Sequence, residues 1–359
     1  MGYTFDLILN FLQNYLTLNF ILFIRAIFGH HYSFRCSKLY LTIERIYCIV
    51  LSIVCPLIFY YSSNVMEYNI QWLFFEYFIS IWITLIIEDD CFKKYLSSIK
   101  HADRILGLGC LNLASFRLYV VFFLIALVRI CIGLLFLDNL FIRPVIYSLH
   151  AYIHTTIDFS HIIRFIIFDV LYERMIKLGT HFKNIFIQPI HDYTNMTTEV
   201  KKGLLAYKQL LDSVQLLDKI QVTVICSITY TTLVMRFIDS LLDLNATLLI
   251  DWDIAVWAPS SAFVCESIYS AMLVFFPAVF MELIHMEVDN LSWILTMEHS
   301  KCKDHNLRVA ISNGISYLKL RPFQFRIWGI IPVDSSLPIS FISLAFTYTF
   351  VILQVHHVL

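Results

Sequence analysis

The sequence predicts an all-α, polytopic membrane protein with seven transmembrane helices, the amino terminus in the cytosol and the carboxyl terminus extracellular. Composition is the first observation behind this. Of 359 residues, 59% are hydrophobic and only 15% charged, with a mean hydropathy of +0.72, which is more apolar surface than a soluble fold can hide. The second is the recurrence of charge-poor stretches of roughly 20 residues, the length a helix needs to cross about 30 Å of hydrocarbon. The third is the placement of Lys and Arg. Residues 1–45 carry four, 88–117 five, 171–221 seven and 282–334 six, whereas the opposite-side segments carry only Arg143. Basic loops are retained in the cytosol, so this distribution orients the chain. The net charge of −1 hides that asymmetry and gives no reason to expect a nucleic-acid partner.

Taken in order, residues 1–40 read as a cytoplasmic amphipathic segment. No basic region precedes its apolar part, and Asn10, Gln13, Asn14 and Asn19 interrupt it, which excludes a secretory signal peptide. Residues 41–170 hold transmembrane helices 1–4, at about 41–62, 70–87, 118–138 and 145–170, the fourth running on into the cytosol. Residues 171–219 are expected to be cytoplasmic helices. Within them Leu204, Tyr207, Leu211 and Val214 recur at helical spacing opposite Lys201, Lys208 and Asp212. That greasy face requires a protein partner. Residues 220–282 hold helices 5 and 6 (220–242 and 254–282), 283–334 form a second cytoplasmic segment, and 335–359 carry the last span. All nine cysteines fall in spans or on the cytosolic side, so no external disulfide framework is expected. The sequon Asn245-Ala246-Thr247 falls in an external loop.

The last helix is the most informative stretch. From Ser335 to Val355 there is no charged residue, and Ser336, Ser340, Ser343, Thr347 and Gln354 follow at steps of four, three, four and seven, which puts them on one face. Lipid does not reward such a stripe. It suits a helix contact or water, and one helix cannot enclose water alone. If the stripe lines a pore, copies from several subunits meet around an axis.

Thr347-Tyr348, five mostly apolar residues, Gln354 and Val355 resemble the insect gustatory receptor signature, a Thr-Tyr pair, five apolar residues, Gln and Phe. Val355 replaces the Phe. Upstream, Arg321, Phe325, Gly329 and Asp334 are similar to residues found in that family's run into its last helix, and Leu22–Gly29 is similar to the segment before its first span. The two carboxyl-terminal pieces cover about 35 residues. The family is related to the insect odorant receptors. The resemblance implies a plasma-membrane chemoreceptor that assembles as a homo- or hetero-tetramer with other gustatory receptor subunits through a cytoplasmic anchor. It also implies a pore and gate at Ser343, Thr347, Val351, Gln354 and Val355, and a small-molecule tastant pocket in the outer half of the first six spans. An apolar ring closes a pore by dewetting, and a ring of amides offers cations partial dipoles without fixed charge.

Ionisable residues inside spans are expensive and mark either interhelical pairs or a water-filled site. Glu76, Arg129, Asp158, Arg164, Arg236 and Glu266 are of this kind. Tyr77, Trp82, Arg129, His154, Asp158, Glu266 and Tyr269 have chemistry suited to a ligand pocket, with aromatic faces for apolar rings and charged groups for polar substituents. His150 and His154 share a helical face at a spacing metal sites use, but further His boxes on a common side do not accompany them, so neither a metal nor any other cofactor is expected. No nucleophile–base arrangement stands out, so the chain is not expected to be an enzyme.

The resulting expectation is a ligand-gated, non-selective cation channel. Sugar-sensing members of the family carry Glu directly after Thr-Tyr, where this chain has Thr349, so a bitter or plant compound is favoured over a sugar. A G-protein-coupled chemoreceptor is the alternative, which the charge distribution opposes. A membrane transporter or enzyme ranks lower still.

Overall fold

The computed structural model describes residues 18–31, 38–62, 68–86, 90–108, 115–135, 144–187, 193–217, 228–239, 254–327 and 330–358. Eleven helices and one two-stranded hairpin occur among them. In chain order these are α1 (Leu18–Ile27), α2 (Lys38–Ser62), α3 (Tyr68–Ile86), α4 (Asp90–Ile105), α5 (Phe116–Leu135), α6 (Pro144–Ile187), α7 (Tyr193–Leu217), α8 (228–239), α9 (Ile254–Lys301), α10 (His305–Leu320), β1 (Arg326–Ile327), β2 (Ile331–Pro332) and α11 (Ser336–Val358). The external sequon at Asn245 and the segment 1–17 lie outside the described residues.

Two helices set the long dimension. At 44 and 48 residues, α6 and α9 are about 66 and 72 Å long, roughly twice the hydrocarbon thickness, so each extends well past a bundle of span-length helices. The helix that holds the sixth expected span continues without a break past residue 282 to Lys301. Around the first halves of α6 and α9 stand the shorter apolar helices. Along α2, Leu39, Ile43, Ile46, Val50, Ile53, Leu57 and Tyr61 are all exposed. Water does not tolerate an apolar face of that length, whereas lipid does.

Below the bundle, α4, α7, α10 and the second halves of α6 and α9 close on a single core containing Tyr95, Ile99, Leu178, Phe182, Tyr207, Leu211, Leu295, Ile311 and Phe323. Gly203 of α7 is there because only hydrogen fits: a Cβ would lie 2.5 Å from the ring of Phe182. The Tyr207 hydroxyl donates to the carbonyl of Arg321 at 3.1 Å, and burial pushes its phenol pKa up. Tyr207, Leu210, Leu211 and Val214 are thus covered by the chain's own helices. The partner that this amphipathic face requires is intramolecular.

Residues 18–31 pack against the bundle. Phe28 stacks on Tyr152 and Phe159 at 5.4 and 4.8 Å, Gly29 faces Ile81 and Leu51 with φ +82°, and His30 Nε2 lies 2.9 Å from the carbonyl oxygen of Thr156, in the first half of α6. The turn after α1 is wedged between α2, α3 and α6. Its physical reason is the positive φ at Gly29, which reverses the chain where any Cβ would press on Ile81.

Between α10 and α11 the hairpin pairs Arg326 with Pro332 and Ile327 with Ile331. Phe325 is buried against Phe168, ring centroids 5.5 Å apart, and Asp334 Oδ1 accepts from the Ser336 amide at 3.0 Å, capping α11. Gly329 lies outside the described residues.

Candidate functional site

Five of the seven residues expected to line a pocket meet in one cluster where α5, α6 and α9 converge. Arg129, on α5, is largely buried and donates from Nε to Asp158 Oδ2 at 2.6 Å and from a terminal nitrogen to Asp158 Oδ1 at 2.9 Å. Its other terminal nitrogen binds Glu266 of α9. His154 Nδ1 lies 2.8 Å from the same Glu266 oxygen, and its Nε2 is 3.1 Å from Nε2 of His150. The Tyr269 hydroxyl donates to Asp158 Oδ2 at 3.3 Å, and its ring lies under the guanidinium, 5.2 Å from the centroid.

Helical register explains the convergence. His150, His154 and Asp158 recur every four residues on one face of α6, and Glu266 and Tyr269 are three apart on α9, so each helix presents one polar line to the other. A guanidinium is the right cation between them. Its planar fork engages one carboxylate with two donors and a second carboxylate with another.

Tyr77 and Trp82 are not part of this cluster. Tyr77 is buried among Cys48, Cys55, Ile81 and Ile153, its hydroxyl 3.3 Å from the carbonyl of Leu51, and so ties α3 to α2. Trp82 is half-buried against Phe78, ring centroids 5.3 Å apart, and its Nε1 is buried without a hydrogen-bond partner among the described residues. A second buried ionic group lies nearby: Glu76 of α3 pairs with Arg236 of α8 at 3.4 Å, and Arg164 contacts His161 Nδ1. His161 carried no sequence signal except its place three residues before Arg164 on α6. Among the described residues no cluster of three or more His, Cys, Asp or Glu forms a metal site.

Among the described residues the last helix packs on the rest of the chain chiefly along one line, with Phe346 beside it against Phe237. Phe341, Ala345 and Thr349 are buried and Leu337 half-buried, a step of four repeated from 337 to 349. Phe341 packs on Phe275 of α9 at 5.2 Å and on Phe237 of α8 at 6.1 Å. Ser336, Ser340, Ser343, Thr347, Val351 and Gln354 are exposed. At about 100° per residue, Ser336, Ser343 and Gln354 lie nearly opposite Ala345, so the polar stripe faces away from the bundle. Val355 is in the same helix.

No family model matches the chain, and no curated protein matches it. Solved structures do. The fold is similar to that of the insect olfactory receptor OR5 from Machilis hrabei in complex with eugenol, with a TM-score of 0.65 and 13% identity over 94% of this chain and 97% of that one. A second structure of that receptor gives a TM-score of 0.66 and 14% identity over the same shares. The chain therefore shares the all-α fold of that olfactory receptor, in keeping with the fold class the sequence predicts.

Proposed function

We propose that this protein is a gustatory receptor subunit that forms, as a homo- or hetero-tetramer in the plasma membrane, a non-selective cation channel opened by a small-molecule tastant. The observation that carries this reading is the polar face of α11 standing directly opposite its packed face. In a bilayer that face meets neither its own bundle nor, at acceptable cost, lipid, and four copies around an axis give it water. The pore is assigned to Ser343, Thr347, Val351, Gln354 and Val355. The similar fold of an olfactory receptor, together with the Thr347–Gln354 motif, supports the chemoreceptor class.

Seven spans with a cytosolic amino terminus follow from the charge asymmetry, and place the Arg129 cluster in the outer half of the bundle. There we assign the ligand site, with Tyr269 offering aromatic surface and Arg129, His154, Asp158 and Glu266 its polar floor, while Tyr77 and Trp82, expected beside them, pack elsewhere on α3. Thr349, in the position after Thr-Tyr, favours a bitter or plant compound over a sugar. A ligand opens the pore only through its differential affinity for the open state.

The test is whole-cell current from cells expressing the chain, alone and with candidate partner subunits, with G-protein signalling blocked. Sugars, alkaloids and glycosides are applied to wild type, Gln354→Ala and Ser343→Leu. Ligand-evoked cation current with altered permeability in either variant supports the reading. Responses that appear only when G-protein signalling is unblocked overturn it.

A further inference from the structure

We propose that Glu266, His154 and His150 form a proton-binding chain through which external acid neutralises the Arg129 cluster, making the proton a second ligand of this protein. The inference rests on the outer placement assigned above and on geometry that stands by itself. The cluster holds two carboxylates, Asp158 and Glu266, against one guanidinium, Arg129. With both imidazoles neutral it carries one uncompensated negative charge in a buried site, which is costly unless a cation joins it.

His154 is the group placed to receive that cation. Its Nδ1 faces Glu266 at 2.8 Å and its Nε2 faces His150 at 3.1 Å, so both ring nitrogens already have partners. Two proton arrangements fit these positions without moving a heavy atom. In the first, His150 Nε2–H donates to His154 Nε2, and His154 Nδ1–H donates to Glu266. In the second, a proton added at His150 Nδ1 lets His150 Nε2–H pass its proton to His154 Nε2. His154 is then imidazolium, donating to Glu266 and back to the freed His150 Nε2. One proton enters, one N–H bond breaks, two form, and the cluster goes from −1 to neutral.

His150 is half-buried and one turn nearer the amino end of α6, the outer end in the assigned topology, whereas His154 is buried. The groups facing them are Arg129 from α5, Asp158 from α6, Glu266 and Tyr269 from α9, and Arg236 from α8, itself paired with Glu76 of α3.

The full chain in lipid nanodiscs, with 15N-labelled histidine, tests this through imidazole NMR signals between pH 7.5 and 5. In wild type one buried imidazole should become imidazolium. That transition should vanish in His154→Gln and move at least about one pH unit lower in Glu266→Gln, which removes the facing negative charge. His150→Gln, at a half-buried position, serves if the His154 variant does not fold, and should also lower the midpoint. An unchanged titration in His154→Gln, or in both other variants, overturns the proposal. Wild-type proton uptake at this site without any ligand-evoked current would leave the proton site standing and remove the channel reading, and the reverse result would do the opposite.

Discussion

Arg129 grips Asp158 with two hydrogen bonds, 2.6 and 2.9 Å, while reaching Glu266 with its remaining terminal nitrogen, so one side chain joins three helices. Arg129→Ala strands both carboxylates in the bundle. It should cost about 3–5 kcal/mol, the scale of removing one partner of a buried ion pair. Arg129→Lys should recover only part of that, because an ammonium cannot reproduce the fork. Thermal unfolding of the purified chain in nanodiscs checks both.

Gly203 and Phe182 set a second test, in the platform below the bundle. A Cβ 2.5 Å from the ring forces α7 away from α6, so Gly203→Ala should destabilise by about 1–3 kcal/mol, as overpacking does. Adding Phe182→Leu should return part of the loss. A Gly203→Ala chain as stable as wild type would show that the two helices are not held this closely.

At the start of α10, Asp304 Oδ1 accepts from the Leu307 amide at 2.8 Å. Loss of such an N-cap costs about 1 kcal/mol. Asp304→Ala should therefore speed amide exchange in the first turn of α10 about fivefold, and Asp304→Asn should leave it close to wild type.

The two faces of α11 should respond differently to the same added bulk. Ala345 is fully buried against the bundle and Ser343 is exposed. Ala345→Leu should lower the stability of the chain by about 1–3 kcal/mol. Ser343→Leu should leave it nearly unchanged, and under the proposed function should alter permeation. Equal losses in both would place the polar stripe against the chain's own helices.

Much of the helix order was legible because hydrophobic runs of span length are local signals. The expected boundaries 41–62, 70–87 and 118–138 fall within a few residues of α2, α3 and α5. The stripe at Leu204, Tyr207, Leu211 and Val214 likewise announced α7, but its partner could not be read, because contacts such as Tyr207 with Arg321 join residues 114 apart in sequence. Of the site, charge was the legible part. Arg129, Asp158 and Glu266 stand out because an ion in a span demands a partner. Aromatic residues carry no such demand, so nothing local distinguished Tyr269, which joins the cluster, from Tyr77, which braces α2. The insertion of residues 18–31 was hidden for the same reason: His30 finds its acceptor 126 residues away.

The continuity of α9 ties these parts mechanically. Glu266, held by Arg129, and Phe275, pressed on Phe341 of α11, lie nine residues apart on one uninterrupted helix that reaches Leu295 in the lower core. About 14 Å of continuous helix separates the charged junction from the seam of the last helix, with no loop between to absorb a displacement. Among the described residues α11 is held mainly along that seam, like a shaft on a bearing. A small turn of α9 at the junction would then reach α11 as a roll, carrying Ser343 and Gln354 with it.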